Sequence, residues 1–196
     1  MTRYDEHTAL IVVDVQNDFA DPEGSLHIPD GEAVVDVVNR EIEAALEAGA
    51  PVFYTQDWHP PRTPHFDIDG GSWPVHCVQD TWGAQLHPDL RVEGPVVQKG
   101  VDGGDGYSGF SVRDPVSGEE EATRLGRLLE EAGVRRVVVT GLAGDVCVKA
   151  TALDARELGY EVELPLAATR FVEVEEGDAD RAIGEVEAAG VAVERA

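Results

Sequence analysis

The chain has 196 residues, of which 39 are acidic and 15 basic, so its formal net charge at pH 7 is −24. This length predicts one domain with a full hydrophobic core, and a hydrophobic share of 42% is that of a folded protein. Because the chain contains no run of Lys and Arg, its composition argues against nucleic acid and anionic membrane surfaces as partners.

Short apolar runs alternate with longer amphipathic stretches. In chain order, strands are predicted at Thr8–Val13, Pro51–Thr55, Pro95–Gln98, Arg136–Thr140, Glu161–Leu164 and Val191–Glu194. Helices are predicted at Glu32–Ala48, Glu120–Ala132, Val146–Leu158 and Ala179–Ala189, each followed by a glycine that ends it. The alternation predicts right-handed crossovers and an α/β fold whose parallel sheet is covered on both faces. We expect residues 1–196 to form a single domain.

One segment, residues 58–95, departs from this alternation. It contains six of the eleven prolines, all three tryptophans and four of the six histidines. A long irregular insertion of this kind is usually either functional or disordered, and its aromatic content argues against disorder. We therefore expect this loop to take part in binding a metal and a substrate.

The apolar runs and the cysteines bear on the cellular compartment. The first apolar run, Ala9–Val13, is short for a signal-peptide core, and no stretch approaches the roughly 18 apolar residues that cross a bilayer. Two cysteines, Cys77 and Cys147, are too few for a disulfide scaffold. A soluble, cytoplasmic protein is expected.

Reactive side chains follow four of the predicted strands, at the edge where ligands bind in open parallel sheets. These residues are Asp14, Asp57, Lys99 and, after the fourth strand, Cys147. A cysteine is a nucleophile as its thiolate, which a nearby lysine or a helix N-terminus favours. Taken singly, each residue fits a blander interpretation: a packing cysteine, a turn aspartate or a solvated lysine. Their placement at equivalent strand ends favours a nucleophilic site.

A second group combines one carboxylate with three imidazoles. Asp57 and His59 lie two residues apart at a strand end, and His65 and His76 come from the proline-rich loop. Such ligands suit a divalent ion such as Zn²⁺, Mn²⁺ or Fe²⁺. The alternative is that these loop histidines are scattered polar residues, as we expect of His87.

Ordered motifs extend over nearly the whole chain. They are Val13-Asp14-Val15-Gln16-Asn17-Asp18-Phe19, Gln56-Asp57-Trp58-His59, Pro64-His65-Phe66, Ser72-Trp73-Pro74-Val75-His76, Gln98-Lys99-Gly100, Tyr107-Ser108-Gly109-Phe110 and Gly141-Leu142-Ala143-Gly144-Asp145-Val146-Cys147. In these motifs the chain resembles the nicotinamidase/pyrazinamidase group of the isochorismatase-like cysteine hydrolases.

The resemblance implies a three-layer α-β-α sandwich with a six-stranded parallel sheet. It also implies hydrolysis of a small aromatic amide, nicotinamide, to nicotinate and ammonia through a cysteine thioester, in NAD salvage, with pyrazinamide as a further substrate. The implied catalytic residues are Asp14, Lys99 and Cys147, and the implied ligands of one divalent metal ion (Zn, Fe or Mn) are Asp57, His59, His65 and His76. The implied oxyanion hole consists of the backbone N–H groups of Ala143, which follows a cis peptide bond, and Cys147. The implied substrate contacts are Phe19, Trp73 and Tyr107.

Two positions depart from the family pattern. Val146 stands where some nicotinamidases carry His or Tyr, and Gly144 stands where Thr or Ser is common. The alternatives are an isochorismatase-like hydrolase of another amide or of an N-carbamoyl substrate, and a catalytically silent binding member of the family. The sequence leaves open the identity of the metal and whether the chain forms a homo-oligomer.

Overall fold

A computed structural model describes residues 4–195, so Met1–Arg3 and Ala196 of the expected domain lie outside the described residues. The strands are β1 (Thr8–Val13), β2 (Val52–Asp57), β3 (Val96–Lys99), β4 (Ser111–Arg113), β5 (Glu120–Ala122), β6 (Arg136–Gly141), β7 (Glu161–Pro165) and β8 (Ala192–Glu194). Six of them form a parallel sheet in the order β3-β2-β1-β6-β7-β8.

Helices cover both faces of this sheet. They are α1 (Asn17–Ala20), α2 (Ala33–Glu47), α3 (Leu125–Glu131), α4 (Lys149–Glu157) and α5 (Asp178–Ala188). In β1 the buried side chains alternate: Leu10 and Val12 pack in one apolar cluster with α2, whereas Ile11 lies in a second cluster with residues of α3, α4 and α5. The predicted α/β fold, a three-layer sandwich on a six-stranded parallel sheet, is confirmed.

The strand order reverses between β1 and β6. Their register pairs Val13 with Gly141, so the two chains leave the sheet side by side. Gly141 has φ +108°, and a Cβ there would lie 2.1 Å from the carbonyl oxygen of Val13. Only glycine allows this close approach, which brings the segment after β6 next to the end of β1. The crevice at such a reversal is where doubly wound sheets bind ligands.

One predicted helix was wrong in its first turn. Residues Glu120–Ala122 form β5, which pairs antiparallel with β4, and α3 begins only at Leu125. The pairing places Glu120 opposite Arg113, while Asp114 accepts hydrogen bonds from backbone N–H groups in the connecting turn. Pairing with the preceding strand of this hairpin therefore overrides the helical pattern of these residues.

The predicted helix Val146–Leu158 also has a different start. Residues Gly144–Val148 form a π-helical turn, and α4 follows from Lys149. Cys147 thus lies in a wider turn before the helix. Such turns are frequent at functional sites.

The segment 58–95 connects β2 to β3 and contains a short 3₁₀ turn at Asp67–Asp69. Single bridges connect His59 with Val78 and Phe66 with Trp73. Within residues 4–195, no helix has the length and apolar character needed to cross a membrane.

Candidate active site

Four charged or nucleophilic side chains meet at the carboxyl edge of the sheet. Asp14 follows β1 with φ 48°, Asp57 ends β2, Lys99 ends β3, and Cys147 lies in the turn after β6. All four are buried, with exposed fractions of 0%, 4%, 1% and 7% respectively. The structure therefore brings together the residues that the strand ends predict, in a setting where charges must be paired.

The Lys99 ammonium group is the centre of this cluster. Its Nζ lies 2.8 Å from Oδ2 of Asp14, 2.5 Å from Oδ1 of Asp57 and 3.7 Å from Sγ of Cys147, and it also donates to the carbonyl of Gly106. Burial disfavours the ammonium, but the two carboxylates outweigh it and hold the pKa of Lys99 well above its usual range. Lys99 is therefore a fixed positive charge between the two aspartates.

Asp14 and Cys147 lie close together beside Lys99. Asp14, Asp57 and Cys147 each place a carboxylate oxygen or sulfur within 4.8 Å of the others. Burial raises the pKa of Asp14, opposed by Lys99 and by Thr55, whose hydroxyl donates to Asp14 Oδ1 over 2.7 Å. Burial also raises the pKa of the Cys147 thiol well above its usual range, opposed by Lys99. The arrangement suits a neutral thiol that gives its proton to a neighbouring carboxylate during reaction.

Three buried histidines lie on the other side of Asp57. His59, His65 and His76 each place a ring nitrogen within 4.8 Å of the others. Oδ2 of Asp57 lies 3.4 Å from Nε2 of His59 and 3.6 Å from Nε2 of His76. The side chain of Gln16 holds Asp57 in place, accepting from its N–H and donating to its carbonyl, both over 2.8 Å.

The hydrogen bonds of this cluster fit a divalent metal ion. Within the described residues, neither ring nitrogen of the fully buried His59 has a hydrogen-bond partner. Nδ1 of His65 lies 2.6 Å from the Asp105 carboxylate and Nδ1 of His76 lies 2.7 Å from the carbonyl of Pro74, so their Nε2 atoms remain available. Burial opposes ionisation of Asp57, but Lys99 and His59 outweigh it and place its pKa well below the usual range. Three imidazoles and an ionised carboxylate form a ligand set for Zn²⁺, Fe²⁺ or Mn²⁺.

A cavity opens beside Cys147, His65 and His76. Phe19, Trp73 and Tyr107, the three aromatic residues that the resemblance predicts, all line it. Nε1 of Trp73 donates to Oη of Tyr107 over 3.0 Å, which joins two of these walls. Leu26, Ile28 and Val172 complete a largely apolar lining that suits a flat aromatic ring.

Ala143 and Cys147 both line the same cavity. The Leu142–Ala143 peptide bond is cis, as the resemblance implies. The carbonyl of Ala143 accepts hydrogen bonds from the N–H groups of Val146 (3.1 Å) and Val148 (3.0 Å). Both residues expected to form an oxyanion hole are thus held by the turn that contains the cysteine.

The two departures from the family pattern have structural explanations. A Cβ at Gly144 would lie 2.6 Å from the ring of Phe171 and 2.8 Å from the side chain of Thr169, so a larger residue here would displace these neighbours. The N–H of Gly144 also donates to the carbonyl of Arg170 over 2.7 Å. Val146 lines the cavity and makes this wall apolar where some relatives are polar.

Sequence reasoning missed several residues that support the site. Thr55 and Asp105 hydrogen-bond Asp14 and His65, and the carbonyl of Gly106 accepts from Lys99. The only available signal was a polar residue in a buried strand for Thr55 and an acid in a glycine-rich loop for Asp105. Such signals are too common to single out a site.

These features define a class of protein. It is a doubly wound α/β domain in which a cysteine, a lysine and an aspartate lie beside three histidines that could hold a metal ion. The profile of the isochorismatase domain matches residues 8–196, and the chain belongs to this family.

Three relatives make the comparison more specific. The chain is 39% identical to the nicotinamidase of Escherichia coli. The alignment, 201 positions long, covers 93% of this chain and 92% of that protein. The structure is similar to PnC1 from L. infantum in complex with nicotinate, with TM-score 0.89, 37% identity and coverage of 98% and 94%. It is also similar to the pyrazinamidase of Pyrococcus horikoshii in complex with zinc, with TM-score 0.86, 38% identity and coverage of 97% and 99%.

Proposed function

We propose that this chain is a nicotinamidase, which hydrolyses nicotinamide to nicotinate and ammonia and accepts pyrazinamide as a second substrate. The observation that carries the proposal is the meeting of Cys147, Asp14 and Lys99 with the three-histidine cluster at one aromatic-lined cavity. Whole-length similarity to proteins named nicotinamidase and pyrazinamidase supports this substrate class.

The first half of the reaction forms a thioester. Asp14 accepts the proton of the Cys147 thiol while Sγ attacks the carboxamide carbon, so the C–S bond forms and the carbonyl oxygen becomes an oxyanion. Backbone N–H groups of Ala143 and Cys147 receive this charge, a kind of contact that contributes about 2.7–4 kcal/mol per donor. Asp14 then passes its proton to the leaving nitrogen, the C–N bond breaks and ammonia departs. Lys99 stabilises the negative charge that develops on sulfur.

The second half returns the enzyme to its starting state. Asp14 takes a proton from a water molecule, whose oxygen attacks the thioester carbon. The C–S bond breaks, nicotinate is released, and Cys147 recovers its proton. The same carboxylate thus serves as base and acid in turn, which suits the raised pKa that burial gives Asp14.

Asp57, His59, His65 and His76 would hold one divalent ion, with zinc, iron and manganese as the candidates. When bound, this ion would supply a Lewis-acidic position for the ring nitrogen of the substrate. Phe19, Trp73 and Tyr107 line the cavity, and in this proposal Phe19 and Trp73 would contact the two faces of the ring.

As part of the same proposal, the enzyme acts in the cytoplasm in NAD salvage. Both cysteines are buried and free, which suits a reducing compartment. Whether the enzyme acts as a monomer or as a homo-oligomer would be decided by measuring its mass in solution.

The test is ammonia release from nicotinamide by the purified protein and by two cysteine variants. Cys147→Ala is expected to lower kcat by about 10³-fold or more, because it removes the nucleophile. The matched control is Cys77→Ala, since this second buried cysteine lies outside the proposed chemistry and should keep activity once folded. Pyrazinamide and an N-carbamoyl amine complete the substrate panel. Equal turnover by the Cys147→Ala variant, or a preference for the N-carbamoyl amine, would overturn the proposal.

A further inference from the structure

A carboxylate outside the predicted ligand set contacts one of the three histidines. Oδ1 of Asp105 lies 2.6 Å from Nδ1 of His65. An ionised carboxylate only accepts hydrogen bonds, so the ring hydrogen of His65 resides on Nδ1 and its Nε2 keeps a free electron pair. This tautomer is the one that can bind a metal ion through Nε2.

The backbone around Asp105 is fixed by the small antiparallel hairpin of β4 and β5. The N–H of Asp105 donates to the carbonyl of Arg113 over 2.7 Å, and the N–H of Arg113 donates back over 3.0 Å. This reciprocal pair extends β4 by one bridge. The hairpin that the sequence did not predict therefore holds the Asp105 carboxylate at a defined place.

The loop that carries His65 is joined to the same segment by a second contact. Oγ1 of Thr63 donates to the carbonyl of Gly103 over 2.6 Å and accepts from the N–H of His65 over 3.2 Å. The ring of His65 also stacks on that of His59, with centroids 4.6 Å apart and planes at 17°. The main chain of His65 is thus anchored independently of Asp105, whose contact governs the imidazole ring.

The three histidines differ in how their second ring nitrogen is held. His76 bonds a backbone carbonyl, and neither nitrogen of His59 has a hydrogen-bond partner within residues 4–195. Among the Nδ1 atoms of these three histidines, only that of His65 has a carboxylate partner within residues 4–195. A negative partner raises the basicity of the opposite ring nitrogen more than a neutral carbonyl does.

We infer that Asp105 is a positioning residue for the three-histidine cluster: it fixes the ring and tautomer of His65 and strengthens the binding of a divalent cation. The inference rests on the proposed function, since it assigns a role within the proposed metal site. It concerns the affinity of that site and involves no contact between Asp105 and the substrate.

The experiment measures zinc and cobalt binding to metal-free protein by competition with a chromophoric chelator. Asp105→Ala is expected to weaken binding by about 10- to 100-fold, the range found when such outer partners of metal-bound histidines are removed. Asp105→Asn should recover only part of this loss, because its amide oxygen still accepts from Nδ1–H but carries no negative charge. The matched control is Asp102→Asn, which removes one negative charge from an exposed position in the same loop and should leave affinity unchanged.

Two further measurements separate the outcomes. Thermal unfolding of the metal-free variants reports whether Asp105→Ala perturbs the fold, and if it does, the decision falls on Asp105→Asn together with the cobalt absorption spectrum. Unchanged metal affinity and an unchanged cobalt spectrum in the Asp105 variants would overturn the inference while leaving the proposed function standing. If the unaltered protein and a His65→Ala variant bind zinc equally, the proposed metal site itself is wrong, and the inference falls with it.

Discussion

The hydroxyl of Thr55 offers a sharp test of the proposed role of Asp14. Both side chains are fully buried, and Oγ1 donates to Oδ1 over 2.7 Å. Thr55→Val keeps the size and shape of the side chain but removes this donor. A hydrogen bond to a charged group contributes about 1.5–3 kcal/mol, so we expect the free energy of unfolding at neutral pH to fall by about that amount.

The same substitution should change the pH dependence of kcat/KM in a defined direction. Burial already raises the pKa of Asp14, and the hydrogen bond from Thr55 opposes that rise. Without the hydroxyl the pKa rises further, so a smaller fraction of Asp14 is the carboxylate that accepts the thiol proton. The acid limb of the profile should therefore move to higher pH, while the alkaline limb stays in place.

The stability loss has a matching sign. Because the folded-state pKa of Asp14 is raised, its ionisation costs stability, and this cost grows as the pH rises from below the usual carboxyl pKa through the folded-state value. The loss of unfolding free energy in Thr55→Val should therefore be larger at neutral pH than in mild acid. Urea unfolding at both pH values measures it. Thr55→Ser is the control, since it keeps the hydroxyl and removes one methyl group, worth about 0.8 kcal/mol. An unshifted acid limb in Thr55→Val, or equal profiles for both variants, would refute the role given to Asp14.

Three further predictions concern the cavity walls and the surface. Gly144→Thr should lower the free energy of unfolding by about 1–3 kcal/mol and reduce kcat/KM, because the new side chain displaces Phe171. Thermal unfolding is the measurement. The control is Gly126→Ala, because a Cβ at Gly126 has room. Trp73→Phe should raise KM by about 2- to 10-fold through loss of the hydrogen bond to Tyr107, and an unchanged KM would show that this bond does not order the wall. Molar KCl should raise the melting temperature, because salt screens the repulsion within a surface of net charge −24, and equal values at low and molar salt would contradict this.

The local pattern of the sequence predicts most of the sheet because its strands are continuous apolar runs. Thr8–Val13 forms β1 over the whole predicted range, whereas Glu120–Ala132 was expected to be one helix and instead divides into β5 and α3. The difference lies in what stabilises each segment. A buried central strand can be recognised from its composition. The exposed hairpin instead depends on pairing with a segment 7 to 11 residues earlier, which periodicity does not reveal.

The candidate site shows the same division. Strand ends predict that Asp14, Asp57 and Lys99 meet, since the topology of a parallel sheet brings carboxyl ends to one edge. The partners of those side chains, such as Thr55 and Asp105, follow from side-chain directions and loop conformations that no spacing rule supplies. Sequence motifs can thus identify the candidate reacting groups. The neighbouring side chains that adjust the protonation of those groups are found only in the three-dimensional structure.

Lys99 connects the two halves of the site electrostatically. The sequence predicts that this ammonium lies beside the sulfur of Cys147, which is 3.7 Å away, and the structure adds two shorter ion pairs with Asp14 and Asp57. One buried cation is therefore shared between the proposed base and the carboxylate of the histidine cluster. Removing a partner from a buried ion pair leaves an uncompensated charge, so a change at either aspartate alters the electrostatic environment of the other. The proposed catalytic centre and the three-histidine cluster are for this reason one electrostatic unit, joined through Lys99.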